Sequence, residues 1–130
     1  QRIEGGSKIS ASEYIEGKRE LDRLRRAVAD VFSTVDLLVT PTTPILPQTV
    51  EEALKDPVVP QPGGVAPSLR NTQPFDIFGL PTISIPCGFS RTGLPIGLQI
   101  SGPRLGESHV LALAHAFEQA TGHGKRRPVV

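Results

Sequence analysis

Gly79-Leu80-Pro81-Thr82-Ile83-Ser84-Ile85-Pro86-Cys87-Gly88-Phe89, followed after a short break by Gly93-Leu94-Pro95-Ile96-Gly97-Leu98-Gln99-Ile100-Ser101-Gly102, decides the fold of this chain. Residues 82–89 alternate strictly: Ile83, Ile85 and Cys87 fall on one side, Thr82, Ser84 and Pro86 on the other. Ile96, Leu98 and Ile100 repeat the pattern, with Gly97, Gln99 and Ser101 opposite. Ser90-Arg91-Thr92-Gly93 joins the two runs, so the spacing predicts an antiparallel hairpin. Gly97 offers no side chain, which suits another element packed closely over that face. Ile85 and Leu98 are expected to be buried in one core layer against the two flanking helices. Gln99 is expected to matter less than Leu98 unless its amide satisfies buried backbone.

Two helices flank this pair of strands. Residues 10–35 read as one amphipathic helix, opened by a capping box of Ser10 and Glu13. Tyr14, Leu21, Leu24, Val28, Val31 and Val35 recur at helical spacing, and Glu16, Arg19, Asp22, Arg23 and Arg26 fill the other side. Arg23, Arg25 and Arg26 admit a nucleic-acid face or a solvated helix surface; the interleaved Glu20 and Asp22 favour the latter. Residues 107–121 form the second helix, with a stripe of Val110, Leu113, Ala114, Phe117 and Thr121 and a stop at Gly122. Leu37-Leu38-Val39-Thr40 is a short strand cut off by Pro41. Residues 41–67 carry too much proline for regular structure, apart from a helical turn at residues 51–55. The tail Lys125-Arg126-Arg127-Pro128 reads as a solvated basic terminus.

The bulk composition narrows the classes. A chain of 130 residues holds at most one domain with a small core. A net charge of +1 argues against a general polyanion-binding surface. No apolar run reaches membrane-spanning length, so a soluble, cytoplasmic protein is expected. The single cysteine, Cys87, excludes an internal disulfide framework. The chain opens on Gln1 and contains no methionine, as expected of a fragment or excised domain.

Nucleophile templates fail one after another. Ser84 lies between Ile83 and Ile85 within a strand, not in a Gly-x-Ser-x-Gly elbow. Cys87 has no histidine near it in sequence and reads as a strand cysteine made inert by burial. His109, His115 and His123 have no metal-ligand spacing, and Asp30, Asp36 and Asp76 form no carboxylate pair.

Read with its flanks, the sequence resembles the C-terminal part of the amidase signature family. Asp36-Leu37-Leu38-Val39-Thr40-Pro41-Thr42 resembles the family's strand-to-proline segment after a long helix. Asn71-Thr72-Gln73-Pro74-Phe75-Asp76 resembles the segment before its Gly-Leu-Pro, and Gly97-Leu98-Gln99 with residues 111–121 resembles the closing strand and helix. The likeness runs from about residue 9 to residue 128.

The resemblance implies an α/β fold: a mixed sheet flanked by helices, the C-terminal portion of the amidase signature fold, with residues 1–130 as a partial amidase domain. It implies hydrolysis of a carboxamide to carboxylate and ammonia without metal or cofactor. The catalyst would be a Ser–cis-Ser–Lys set, in which a neutral lysine relays a proton through a bridging serine to activate the nucleophile. No residue here takes a catalytic role by motif. Gly5-Gly6-Ser7-Lys8 lacks the family's second serine and following glycines, and precedes a helix matching a region downstream of the catalytic loop. The chain alone is therefore expected to be inactive. Its contribution would be sheet, core and one wall of the acyl pocket, with Thr72, Phe75 and Ile85 as candidates for that wall; ordinary turn and core roles compete for the same residues. Its partner would be a small-molecule amide, with no direct contact to nucleic acid or membrane, and apolar surface left uncovered would favour self-association. An aminoacyl-tRNA amidotransferase A subunit is the alternative within the family. There an aspartate stands three residues before the threonine matching Thr72; here that position is Leu69, which cannot pair with an ammonium and so favours a general amidase. A non-catalytic module sharing the fold is the third reading.

Overall fold

A computed structural model of the protein describes residues 6–55 and 66–126. β3 (Pro95–Ser101), with alternating apolar Ile96, Leu98 and Ile100, lies at the centre of a three-stranded sheet, between β1 (Leu38–Pro41) and β2 (Thr82–Phe89). Both pairings are antiparallel. Ile100 faces Val39 on one side and Ile83 on the other, and Leu98 faces Ile85. The hairpin expected from residues 82–101 is present. Gly93 turns it at φ 84°, the left-handed position that closes the short loop, with its N–H donating to the Ser90 carbonyl at 2.9 Å. Alternation in β2 holds as far as Pro86. The register then shifts between Pro86 and Gly88, which leaves half-buried Cys87 at a bulge.

The hydrophobic face of the sheet is closed by the helix α4 (Glu107–Thr121), numbered in chain order after three N-terminal helices. Ile85, Ile100, Val110 and Ala114 form the core, with Leu37, Ile83, Leu98 and Phe117 packed around it. Ile100 is wholly enclosed. Leu98 is half-buried beside it, in the same layer as Ile85. In α4 the stripe narrows to Val110, Ala114 and Phe117, because Leu113 and Thr121 turn outward. Gly122 ends the helix in the left-handed region, as its position predicts.

The N-terminal helix α1 (Ala11–Val28) carries the expected capping box. The Glu13 amide donates to Ser10 Oγ and the Ser10 amide donates to Glu13 Oε2. The α-helix is shorter than its periodicity suggests and tightens into a 3-10 turn over Ala29–Ser33. There Ser33 and Thr34 hydroxyls donate back to the carbonyls of Asp30 and Val31, taking groups that would otherwise continue the helix. No residue of α1 is fully buried or joins the core, so the layer of Ile85 and Leu98 is covered by α4 and not by both helices as expected; the apolar side of α1 stays open at Tyr14, Ile15 and Leu24. A short helix α2 (Val50–Lys55) occupies the expected helical turn, with Thr49 and Glu52 forming a second capping box. The central prolines of the 41–67 segment lie outside the described residues. Helix α3 (Gln73–Phe78) has no counterpart among the elements expected from the sequence; Pro74 suits its first turn and left-handed Gly79 ends it.

Among the described residues no helix is long and apolar enough to cross a membrane.

The packing ranks three truncations. Ile100→Ala is expected to lower stability by about 2–5 kcal/mol in denaturant titrations, with Leu98→Ala below it and exposed Val39→Ala smallest. A second expectation concerns pH. The Ser10 hydroxyl and amide hold the Glu13 carboxyl below the ordinary glutamate range. Its contribution is therefore present above that range and lost as pH falls through the lowered value. Acid titration of helicity should show the start of α1 fraying on acidification, and Glu13→Gln should remove that component.

Candidate functional site

The polar side chains of the strands fall on one face because the strand period is two. Thr40, Gln99 and Ser84 sit side by side across the three strands, as do Leu38, Ser101 and Thr82. Thr42, just past β1, donates its N–H to the Gly97 carbonyl at 2.9 Å and joins the same face. Thr42 and Ser84 share a hydrogen bond of 2.5 Å between their hydroxyls, and Thr82 Oγ1 donates to Ser101 Oγ at 3.0 Å.

The Thr42–Ser84 contact needs Gly97. A Cβ there would lie 2.6 Å from Thr42 Oγ1 and 2.9 Å from Ser84 Oγ. The close packing expected over Gly97 is thus supplied by Thr42.

Gln99 organises the middle of the face. It is only 1% exposed, and its Nε2 donates to Thr40 Oγ1 at 3.2 Å and to the Asn71 carbonyl at 2.9 Å. Asn71 Nδ2 in turn donates to the Pro41 carbonyl at 2.8 Å. The Asn71–Thr72 turn is so clamped against the sheet from both directions. Gln99 itself is buried, and the backbone carbonyl it satisfies belongs to half-buried Asn71.

The three candidate wall residues divide between the two sides of the sheet. Thr72, half-buried, stands at the N-cap of α3 beside the clamped Asn71, with its hydroxyl directed to the Leu69 carbonyl. Phe75, also half-buried, lies one turn further on, and its carbonyl accepts from the Leu80 amide at 3.0 Å. Ile85 is 4% exposed and packs in the core beneath α4. The structure brings Thr72 and Phe75 together on one short segment and sets Ile85 on the opposite face from Gln99 and Asn71. Sequence reasoning assigns no site role to Asn71, Gln99, Thr42 or Ser84. Their signal is the run of polar side chains at alternate positions of paired strands, which pure surface exposure does not explain.

Chemically this face can bind and orient but lacks an activated nucleophile. Among the described residues no lysine, histidine or carboxylate hydrogen-bonds to the Ser84 or Thr42 hydroxyl. Cys87 sits apart at the bulge, and His123 is engaged edge-on with the Phe89 ring at 6.0 Å. Among the described residues no group of three or more His, Cys, Asp and Glu side chains could hold a metal ion.

Known proteins share this architecture. A profile of the amidase family matches residues 1–111. The A subunit of the glutamyl-tRNA(Gln) amidotransferase of Brevibacillus brevis is 45% identical over 98 residues, covering 75% of this chain and 19% of that protein. Its namesake from Bacillus licheniformis is 38% identical over 115 residues, covering 88% of this chain and 22% of that protein. Among solved structures, 6-aminohexanoate cyclic dimer hydrolase superposes with a TM-score of 0.79 at 28% identity, over 94% of this chain and 27% of that one. The A subunit of the Thermotoga maritima glutamyl-tRNA(Gln) amidotransferase gives a TM-score of 0.62 at 32% identity, over 90% of this chain and 25% of that one. The chain belongs to the amidase signature family and has its fold. It spans 19–24% of the length of the curated relatives it matches.

The clamp yields a direct expectation. Gln99→Ala strands the Asn71 carbonyl and should cost about 1–3 kcal/mol. Gly97→Ala should cost a similar amount, about 1–3 kcal/mol, by forcing Thr42 and Ser84 apart. Denaturant titration of both variants checks the pair.

Proposed function

We propose that this chain is the C-terminal part of a cytoplasmic enzyme that hydrolyses a carboxamide to carboxylate and ammonia. The observation that carries the reading is the amidase family match over residues 1–111, joined to a fold shared with a hydrolase of a cyclic dimer of 6-aminohexanoate. In this reading a Ser–cis-Ser–Lys set outside the chain performs the chemistry. Lysine accepts the serine proton through the bridging serine, the alkoxide attacks the amide carbon, the same proton returns to the nitrogen so that it leaves as ammonia, and water then releases the acyl group as carboxylate. Backbone N–H groups stabilise the oxyanion. The segment Thr72–Phe75 supplies one wall of the acyl pocket, held at fixed depth by the Asn71–Gln99 clamp, while Ile85 anchors β2 from the core side.

The names of three of the similar proteins support a second reading, an amidotransferase A subunit that takes ammonia from glutamine. Leu69 favours the first. It is 47% exposed at the end of the 3-10 turn Pro67–Leu69, where an apolar side chain gives an ammonium no counter-charge. Ammonia release by the full-length protein, with simple carboxamides and with glutamine, separates the two. The general amidase releases ammonia from simple amides unaided; release from glutamine alone, and only with partner subunits present, assigns the second reading.

The isolated chain is expected to give background rates with simple amides. A rate abolished by Ser84→Ala or Cys87→Ala would overturn the proposal and reveal other chemistry. Self-association is expected as well, because Val39, Tyr14 and Ile15 are about half or more exposed. Sedimentation equilibrium should show a dimer or larger species; a rigid monomer would favour a self-sufficient binding module.

A further inference from the structure

The arginines near the end of α1 do not share one role. Arg23 turns outward to Glu20, 2.6 Å away. Arg25 and Arg26 line a groove of about 520 Å3 together with Arg104 from the β3–α4 loop. Its apolar walls include Phe32, Phe78 and Leu80. Among the described residues no carboxylate lines the groove. Arg25 is held in place by its Nε donating to the Ile77 carbonyl at 2.9 Å, with Asp22 only loosely near at 3.9 Å. The guanidinium groups of Arg26 and Arg104 have no hydrogen-bond or ion-pair partner among the described residues.

We propose that this groove binds a small aryl anion, an aromatic body carrying a carboxylate or phosphate head. The guanidinium fork matches both heads, since each offers two oxygens at the spacing of two N–H donors. Phe32 and Phe78 offer apolar surface for a ring, and a ring beside a guanidinium gains a further attraction. The volume falls in the range of small-molecule sites, about 300–1,000 Å3. A polynucleotide fits less well: the neighbouring helix surface carries Glu20 and Asp22, and the free cations converge on one groove without forming a track.

Isothermal titration of the full-length protein at low salt tests the site without reference to amide turnover. The probes are benzoate and phenyl phosphate, which distinguish the two heads, with inorganic phosphate and benzyl alcohol as the separated halves. Saturable binding of at least one aryl anion is expected, tighter than either half and weakened by added salt. Arg26→Gln and Arg104→Gln should each weaken it about tenfold, the scale of one lost charge-assisted hydrogen bond. Arg23→Gln should leave it unchanged, and thermal melts of all three variants should coincide with the parent. Absence of saturable binding for both aryl anions, or unchanged affinity in Arg26→Gln and Arg104→Gln, overturns the proposal. Tighter binding of a single-stranded oligonucleotide than of either aryl anion also overturns it and marks a polyanion surface.

Discussion

The amide nitrogen of Gln99 ties together three segments that are distant in sequence. From the central strand it reaches Thr40 on the neighbouring strand and the Asn71 carbonyl on the turn above. Leaving the part-buried Asn71 carbonyl without its donor would be costly, which favours the turn where it lies. Asn71 closes the loop through the Pro41 carbonyl. One side chain on one strand thereby helps to fix the turn from which α3 starts. β3 can play this part because it is paired on both edges and covered on both faces, by α4 on one side and by the Asn71 turn on the other.

Strand period and helix caps are legible in the residues themselves. Ile83, Ile85, Leu98 and Ile100 announce a shared face, and Ser10 with Glu13 announces where α1 begins. What escapes is set by contacts between distant parts of the chain. α3 has a proline at its second position and no side-chain cap, and the turn before it is held from outside through Asn71. The end of α1 escapes for the opposite reason. Its apolar period continues through Val31 and Val35, while hydroxyls at Ser33 and Thr34 draw carbonyls into a tighter turn.

The candidate site is the least legible part. Sequence resemblance directs attention to Thr72, Phe75 and Ile85, but nothing local says that a sheet parts Ile85 from the other two. Thr42, Ser84 and Gly97 look ordinary singly. Their meaning lies in a contact across three segments, where the missing Cβ of one residue makes room for the hydroxyls of two others. The arginines of α1 are similar: one composition, two destinations, one toward solvent and one toward a groove.

The placement of β1 bears on how the chain assembles. β2 and β3 are neighbours in sequence and meet by closing a short turn, which is fast and entropically mild. β1 must find β3 across the whole proline-rich segment and the α3 turn. The entropy of closing such a loop grows only with the logarithm of its length, about 0.6 kcal/mol for each doubling. Extra residues inserted between α2 and Asn71 would therefore slow the arrival of β1 more than they would weaken the finished sheet. A longer connection at this point would leave the pairing of the same three strands almost as stable as before.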